Sequence, residues 1–504
     1  MTTPPPLRGT HVLAGPIPLG ALETRADVPD AHGKPVCSDL LFRQTSIEHF
    51  VDRAGKEFYL GIIEISDNGR IADDVQKELV MARLRQVALG GRTKPADAHD
   101  SPGAIIITFV HGWHHRSKVC DNNLACFRRV LQALSEGSGK GGRPVFGIYV
   151  GWRGDTLEKA KALSFYDRKA TAHRIGYEAG REILLDLDDL YRELNDRIAT
   201  PARPHPVTMV TAGHSFGGAL VYSAVEGALV RQLRNLDGPG SVLAVGKRAG
   251  HCGGDAQVRP IRPGIGDLVV LVNPAFEASR YQEFVDDEST PGRYADGQLP
   301  VLLTAASEGD QAVKLAFPIG RSLYFSVFPW RFRRLSDIIG AGHYDPHTTH
   351  DLVVTDDANA VIHPPAAERP PKLEADAKTI ERCHLNVKEG DLATCKCEYD
   401  VPELLAAQPE DASLDLARGS VRTAPNEHVL LRPRRKDRDP NSPYIVARVA
   451  PEIISQHSDI YTPRFVTFLT AYIGEFLKQS AQVRPGSMDD DPTRCAPLAA
   501  IPER

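Results

Sequence analysis

Val207-Thr-Met-Val-Thr-Ala-Gly-His-Ser-Phe-Gly-Gly218 begins as a strand, bends at a serine and runs into the apolar helical stretch 219–230. Residues 207–211 do not alternate polar with apolar, the pattern of a strand covered on both faces of a parallel sheet. Between strand and helix, Gly213-His-Ser215-Phe-Gly217 has the spacing G-x-S-x-G. Glycines at 213 and 217 let strand and helix approach where a Cβ would clash, and the serine sits at the bend. The N-terminus of the helix beyond favours negative charge developing near Ser215. Read blandly, these residues are a glycine-rich turn with a serine helix cap. The apolar strand before them and the loop at 111–115 favour a nucleophile.

Strands of the same kind recur on either side: 104–110, 145–150, 268–272, 301–304 and 444–449. Helices are expected near 122–135, 171–198 and 463–478. A strand at 57–65 precedes them, followed after the turn Asp67-Asn-Gly69 by a helix over 73–88. Alternation of this length predicts an α/β architecture: a mostly parallel central sheet covered by helices on both faces. The strand C-termini then share one edge, where a site belongs.

Phe109-Val-His111-Gly112-Trp113-His114-His115 closes the strand 104–110. In such a loop Gly112 allows the turn, and the backbone N–H of Trp113 can pair with that of Phe216 to form an oxyanion hole. His111 reads as a brace of this loop, and Trp113 as acyl-pocket wall or plain packing. His111, Gly112 and Trp152 are the candidate pocket residues; Phe165 and Tyr166 only suggest an apolar acyl site.

A serine hydroxyl needs a histidine base, and that histidine needs a carboxylate. The expected order is Ser, acid, His. Ala305-Ala-Ser-Glu308-Gly-Asp310 follows a strand, and Asp310 is preferred because it clears the strand end further; Glu308 is the runner-up. Asp286, Asp287 and Glu288 follow the preceding strand and remain open. His457 lies in the loop after the strand 444–449, where the base belongs. The rival group His343, His347 and His350 precedes the insertion and suits bracing, pocket-lining or surface roles.

The 504 residues are 42% hydrophobic and 25% charged, with 60 Lys and Arg against 65 Asp and Glu. A net charge of −5 gives no reason to expect nucleic-acid binding. No run is long enough for a transmembrane segment. The N-terminus does not read as a signal peptide. A cytoplasmic place is expected if the chain is complete, and an envelope or secreted one if a signal segment was removed. Residues 1–38 read as an irregular arm, 39–350 and 441–478 as the core, and 479–504 as a flexible tail. The 90 residues 351–440 read as an insertion or small subdomain, a lid or a contact element. Its basic run at 432–436 is most simply a solvated loop, with a membrane-surface or polyanion contact as the alternative. The eight cysteines permit bridges without demanding them. Cys383, His384, Cys395 and Cys397 lack paired CxxC spacing, so no metal and no cofactor are expected.

With these residues in view, the chain resembles the α/β-hydrolase superfamily. It is similar in particular to bacterial esterase/lipase-like proteins distantly akin to the inositol deacylases of glycolipid anchors. The resemblance rests on Val110-His-Gly-Trp113, Gly151-Trp-Arg-Gly154, Gly213-His-Ser-Phe-Gly217, Asn273-Pro274 and His457-Ser-Asp-Ile460, and covers roughly 100–350 and 441–478. It implies the α/β-hydrolase fold, cleavage of a small-molecule or lipid ester, nucleophile Ser215, acid Asp310, base His457 and oxyanion donors around Trp113 and Phe216. An amidase, peptidase or acyltransferase on the same triad is one alternative; a non-catalytic binding protein on this scaffold is another. The long stretch before the last strand departs from the family pattern and leaves the acid and the pocket architecture open; acyl-chain preference and oligomeric state are open as well.

Overall fold

A computed structural model describes residues 7–13, 15–91, 100–137, 142–154, 161–200, 203, 205–235, 264–288, 294, 298–316, 334–356, 395–397, 399, 416, 419–424, 427–434, 439 and 441–480. The tail beyond 480, the Pro-rich run 364–371, most of the loop 238–266, Cys383 and His384 lie outside them.

Among the described residues the chain forms β1 (His11–Val12), β2 (Ile17–Pro18), β3 (Asp27–Pro29), β4 (Pro35–Cys37), β5 (Thr45–Val51), β6 (Glu57–Glu64), β7 (Ala104–Val110), β8 (Val145–Gly151) and β9 (Val207–His214). There follow β10 (Leu268–Val272), β11 (Leu302–Ser307), β12 (His350–Thr355), β13 (Gly419–Ala424), β14 (Glu427–Pro433) and β15 (Tyr444–Val449). Helices are α1 (Leu19–Glu23), α2 (Ser38–Arg43), α3 (Asp74–Ala88), α4 (Asn122–Gly137), α5 (Lys161–Ile175), α6 (Arg181–Ile198), α7 (Phe216–Asn235), α8 (Gln282–Glu288) and α9 (Pro463–Ser480).

One mixed, mostly parallel sheet runs in the order β1-β5-β6-β8-β7-β9-β10-β11-β15-β12-β14-β13, with β2 also on β5. All neighbours from β6 to β12 along this path are parallel. The residue alternation of β7 explains why its sequence shows none. Ile106 and Val110 enter one core, with α3, α6 and α7, while Ile105, Ile107 and Phe109 enter the other, with α4 and α9. Each such buried side chain contributes roughly 1.5–3 kcal/mol relative to exposure.

Three features add to the sequence reading. The last strand in sequence, β15, is interior, because β12, β14 and β13 extend the sheet beyond it; both described ends of the segment 351–440 belong to the same sheet. The arm contributes β1 and β2 to the opposite edge through β5. The helix expected over 171–198 is broken by a π-turn at Gly176–Gly180. A Cβ at Gly176 would lie 2.5 Å from the Leu220 carbonyl oxygen, so the glycine permits contact with α7 that a regular side chain would prevent.

Two disulfides, Cys120–Cys395 and Cys126–Cys397, join the start of α4 to the residues before β13 across 275 and 271 positions. Cys395 and Cys397 are thereby spent as bridges and are not thiolate ligands. Cross-links closing loops this long typically contribute about 2–4 kcal/mol by restricting the unfolded chain. Reduction, or Cys126→Ser, is therefore expected to lower the melting temperature by several degrees in a thermal melt. An unchanged melt, with free thiols verified by mass, would contradict a stabilising role for these links.

Candidate active site

Parallel register brings the C-terminal ends of β7, β9, β10, β11 and β15 to one edge of the sheet. Val272 pairs with His214, Ala305 with Val272, and Val449 with Ser307. Residues separated by hundreds of positions therefore meet in the loops just beyond.

Ser215 stands between β9 and α7 with φ 56°, the left-handed region that non-glycine residues rarely occupy. Its N–H donates to the Val272 carbonyl at 3.1 Å, and its own carbonyl accepts from Ala275 at 3.0 Å, which holds the bend. Gly217 is required by space: a Cβ there would sit 2.1 Å from the Val110 carbonyl oxygen. Ser215 is 4% exposed, so its surroundings leave it few orientations.

His457 bridges Ser215 and Asp310. Its Nδ1 donates to Asp310 Oδ2 at 2.7 Å, and its Nε2 accepts from Ser215 Oγ at 2.7 Å. The carboxylate permits only one tautomer, with hydrogen on Nδ1 and a lone pair facing the serine. Asp310 is fully buried, and its other oxygen accepts from the Val313 N–H at 2.9 Å. Burial alone would push this carboxyl up. The adjacent His457 ring and its hydrogen bond nevertheless hold it below the usual carboxylate value, aided by His343 and the Val313 N–H. Glu308 is exposed and faces Arg448 at 3.9 Å, away from this chain of contacts.

The loop after β7 runs directly against the serine. A Cβ on Gly112 would lie 2.8 Å from Ser215 Cβ. Trp113 follows, its ring tilted against Phe216 with centroids 6.2 Å apart. Phe216 is the first residue of α7, at the positive end of its dipole. His111 and Trp152 are both buried and stack on each other at 5.8 Å. His111 Nδ1 donates to the Gly112 carbonyl at 2.9 Å, its Nε2 accepts from the Trp152 N–H at 3.1 Å, and the Trp152 indole donates to the His111 carbonyl at 2.8 Å. With both ring nitrogens engaged, His111 ties the β7 loop to the β8 loop. His115 faces Asp121 at 3.2 Å in the same loop.

Sequence reading missed roles for His214, Asn273 and Ser307. His214 Nε2 and Asn273 Nδ2 each donate to the His457 carbonyl at 2.9 Å. Ser307 Oγ donates to the Ile454 carbonyl at 2.5 Å, in the same loop. His343, expected to brace the site, line a pocket or face solvent, is partly buried within electrostatic reach of Asp310; His347 is buried and His350 begins β12. A polar residue at the end of each apolar strand was the available signal.

Burial pulls His111 down to about 4, His214 to about 3 and His343 to about 4, so all three rings are neutral near pH 7. In the unfolded chain histidine titrates near 6.5. Below that pH the unfolded chain binds more protons than the folded one, so stability is full above about pH 6.5 and falls as pH drops toward about 4. Roughly 2 kcal/mol per histidine is lost by pH 5. Melting temperature is expected to fall steadily from pH 7 to 5, with a shallower slope in His343→Gln. A flat profile would contradict burial of neutral rings.

Among the described residues, no group of three or more His, Cys, Asp or Glu is arranged to hold a metal ion, and no helix is long and apolar enough to cross a membrane. No protein-family model matches the chain, and no curated protein matches it.

Proposed function

We propose that this chain is a serine hydrolase of the α/β-hydrolase fold, cleaving carboxylic esters through an acyl-enzyme on Ser215. The observation that carries the reading is the single His457 ring held at 2.7 Å from both Ser215 Oγ and Asp310 Oδ2. The left-handed serine at a strand–helix bend supports it independently.

In this mechanism Ser215 Oγ attacks the ester carbonyl while His457 Nε2 takes its proton. Asp310 fixes the imidazole tautomer and balances the imidazolium that forms. The N–H groups of Trp113 and Phe216 receive the oxyanion, supported by the N-terminus of α7. His457 then gives its proton to the leaving alcohol, and the acyl-enzyme carries the acid half of the substrate. Water, deprotonated by the same ring, attacks the acyl carbon and frees Ser215. His111 braces the oxyanion loop and takes no proton, since both its nitrogens are engaged.

The motifs quoted above that resemble bacterial esterase/lipase-like proteins lead us to infer soluble or lipid esters as substrates. Turnover of p-nitrophenyl esters from acetate to palmitate tests it. Saturable hydrolysis is expected, and its optimum chain length separates a short-chain esterase from a lipase. Inertness toward every ester, with amide cleavage or acyl transfer instead, would retain the triad and overturn the substrate.

A further inference from the structure

We propose that His214 and Asn273 are positioning residues, a two-donor clamp on the His457 carbonyl that sets the reach of the base toward both its partners. The inference rests on the serine-hydrolase reading above and deepens it.

Parallel pairing sets the clamp. His214 ends β9 and is the register partner of Val272, the last residue of β10, so Asn273, just beyond β10, emerges beside it. Both side chains reach one oxygen, the His457 carbonyl, at 2.9 Å each. Asn273 is held from three directions. Its φ is 44°, its N–H donates to the Ala305 carbonyl at 2.8 Å, and its Oδ1 accepts from the Ser307 N–H at 2.8 Å. That last bond settles the amide orientation, because a backbone N–H can meet only the amide oxygen, which leaves Nδ2 for the carbonyl. His214 is equally constrained. A carbonyl accepts only, so Nε2 carries the hydrogen, and the buried Nδ1 has no hydrogen-bond partner among the described residues.

A carbonyl needs one donor to be satisfied; this one receives two, on the residue that contacts Ser215 and Asp310. The rest of the loop has its own ties. Ser307 Oγ holds the Ile454 carbonyl, Thr462 Oγ1 holds the Ile453 carbonyl, and Ile453 N–H donates to Ala450 at 2.9 Å. Loss of the clamp should therefore release the ring's position while the loop stays folded. The His214 ring also packs on His457 with centroids 5.1 Å apart. A neutral ring tolerates the imidazolium that forms during turnover, where a charged one would oppose it.

Small displacements at a reacting centre are costly, up to about 10²-fold for 1 Å. The test uses the full chain and compares His214→Leu, His214→Gln and Asn273→Asp with wild type and Ser215→Ala. Asn273→Asp keeps the shape and the Ser307 contact but turns an oxygen toward the carbonyl. His214→Leu and Asn273→Asp are expected to lower kcat about tenfold to a hundredfold, with KM within about threefold. His214→Gln, which returns an N–H donor, is expected to recover most of the loss. If His214→Leu does not fold, Asn273→Gly, suited to left-handed backbone and lacking the donor, carries the comparison. Wild-type kcat in the clamp variants, or His214→Gln as impaired as His214→Leu, overturns the clamp while a dead Ser215→Ala preserves the serine reading. A Ser215→Ala protein as active as wild type overturns both.

Discussion

Ser215→Ala is expected to abolish ester hydrolysis, by about 10³-fold or more in kcat, with the fold unchanged. Among the described residues, the hydroxyl removed makes one hydrogen bond, to His457 Nε2 at 2.7 Å. The backbone bonds that hold the bend, from Ser215 N–H to Val272 and from Ala275 N–H to Ser215, do not involve it. Alanine meets the same left-handed φ as serine, so the strain at this residue is little altered. Residual turnover would come from the oxyanion N–H groups and substrate binding alone. Melting curves recorded beside the kinetics separate lost chemistry from lost structure, and activity within tenfold of wild type would remove Ser215 from the mechanism.

Asp310→Asn is expected to cost about 10⁴-fold in kcat, though it changes one atom. The carboxylate accepts from His457 Nδ1 and so compels the proton onto that nitrogen, leaving Nε2 free to receive the serine proton. An amide that turns its NH₂ toward the ring demands a lone pair at Nδ1 and moves the proton to Nε2, where it faces the nucleophile. The opposing charge that supports the imidazolium is lost as well. Because Asp310 lies below the usual carboxylate value, its ionisation should not limit activity above about pH 5. KM is expected to move little. A modest effect in Asp310→Asn together with a large one in Glu308→Gln would transfer the role to Glu308, which the exposed position of that side chain argues against.

Much of this was readable because parallel strands buried on both faces leave a plain trace. The run Ala104-Ile-Ile-Ile-Thr-Phe-Val110 has no polar side to show, and it occupies the middle of the sheet. The bend at Ser215 was readable from glycines whose spacing answers a steric need. His457 and Asp310 were chosen by chain order and strand ends alone, and they lie in contact although 147 positions apart.

What escaped has a physical reason in each case. His214 and Asn273 act through a carbonyl 243 and 184 positions away, and a single buried polar side chain carries no periodic signal. The strands β12 and β14 pair antiparallel across a gap of some seventy residues, and such non-local pairing leaves no local mark. Cysteine pairing follows from which loops the fold brings together, so Cys120 with Cys395 and Cys126 with Cys397 could not be chosen from spacing. The π-turn lies where Gly176 packs closely on α7, a tertiary contact that a helical pattern in 171–198 does not record.

The most direct measurement is covalent trapping of the nucleophile. The full chain is treated with a fluorophosphonate and analysed by intact mass and peptide mapping. One adduct per chain is expected, on the peptide containing Ser215, absent in Ser215→Ala and slowed strongly in His457→Ala. A folded protein that takes no adduct, or takes it on another residue at an equal rate in Ser215→Ala, would contradict the serine mechanism.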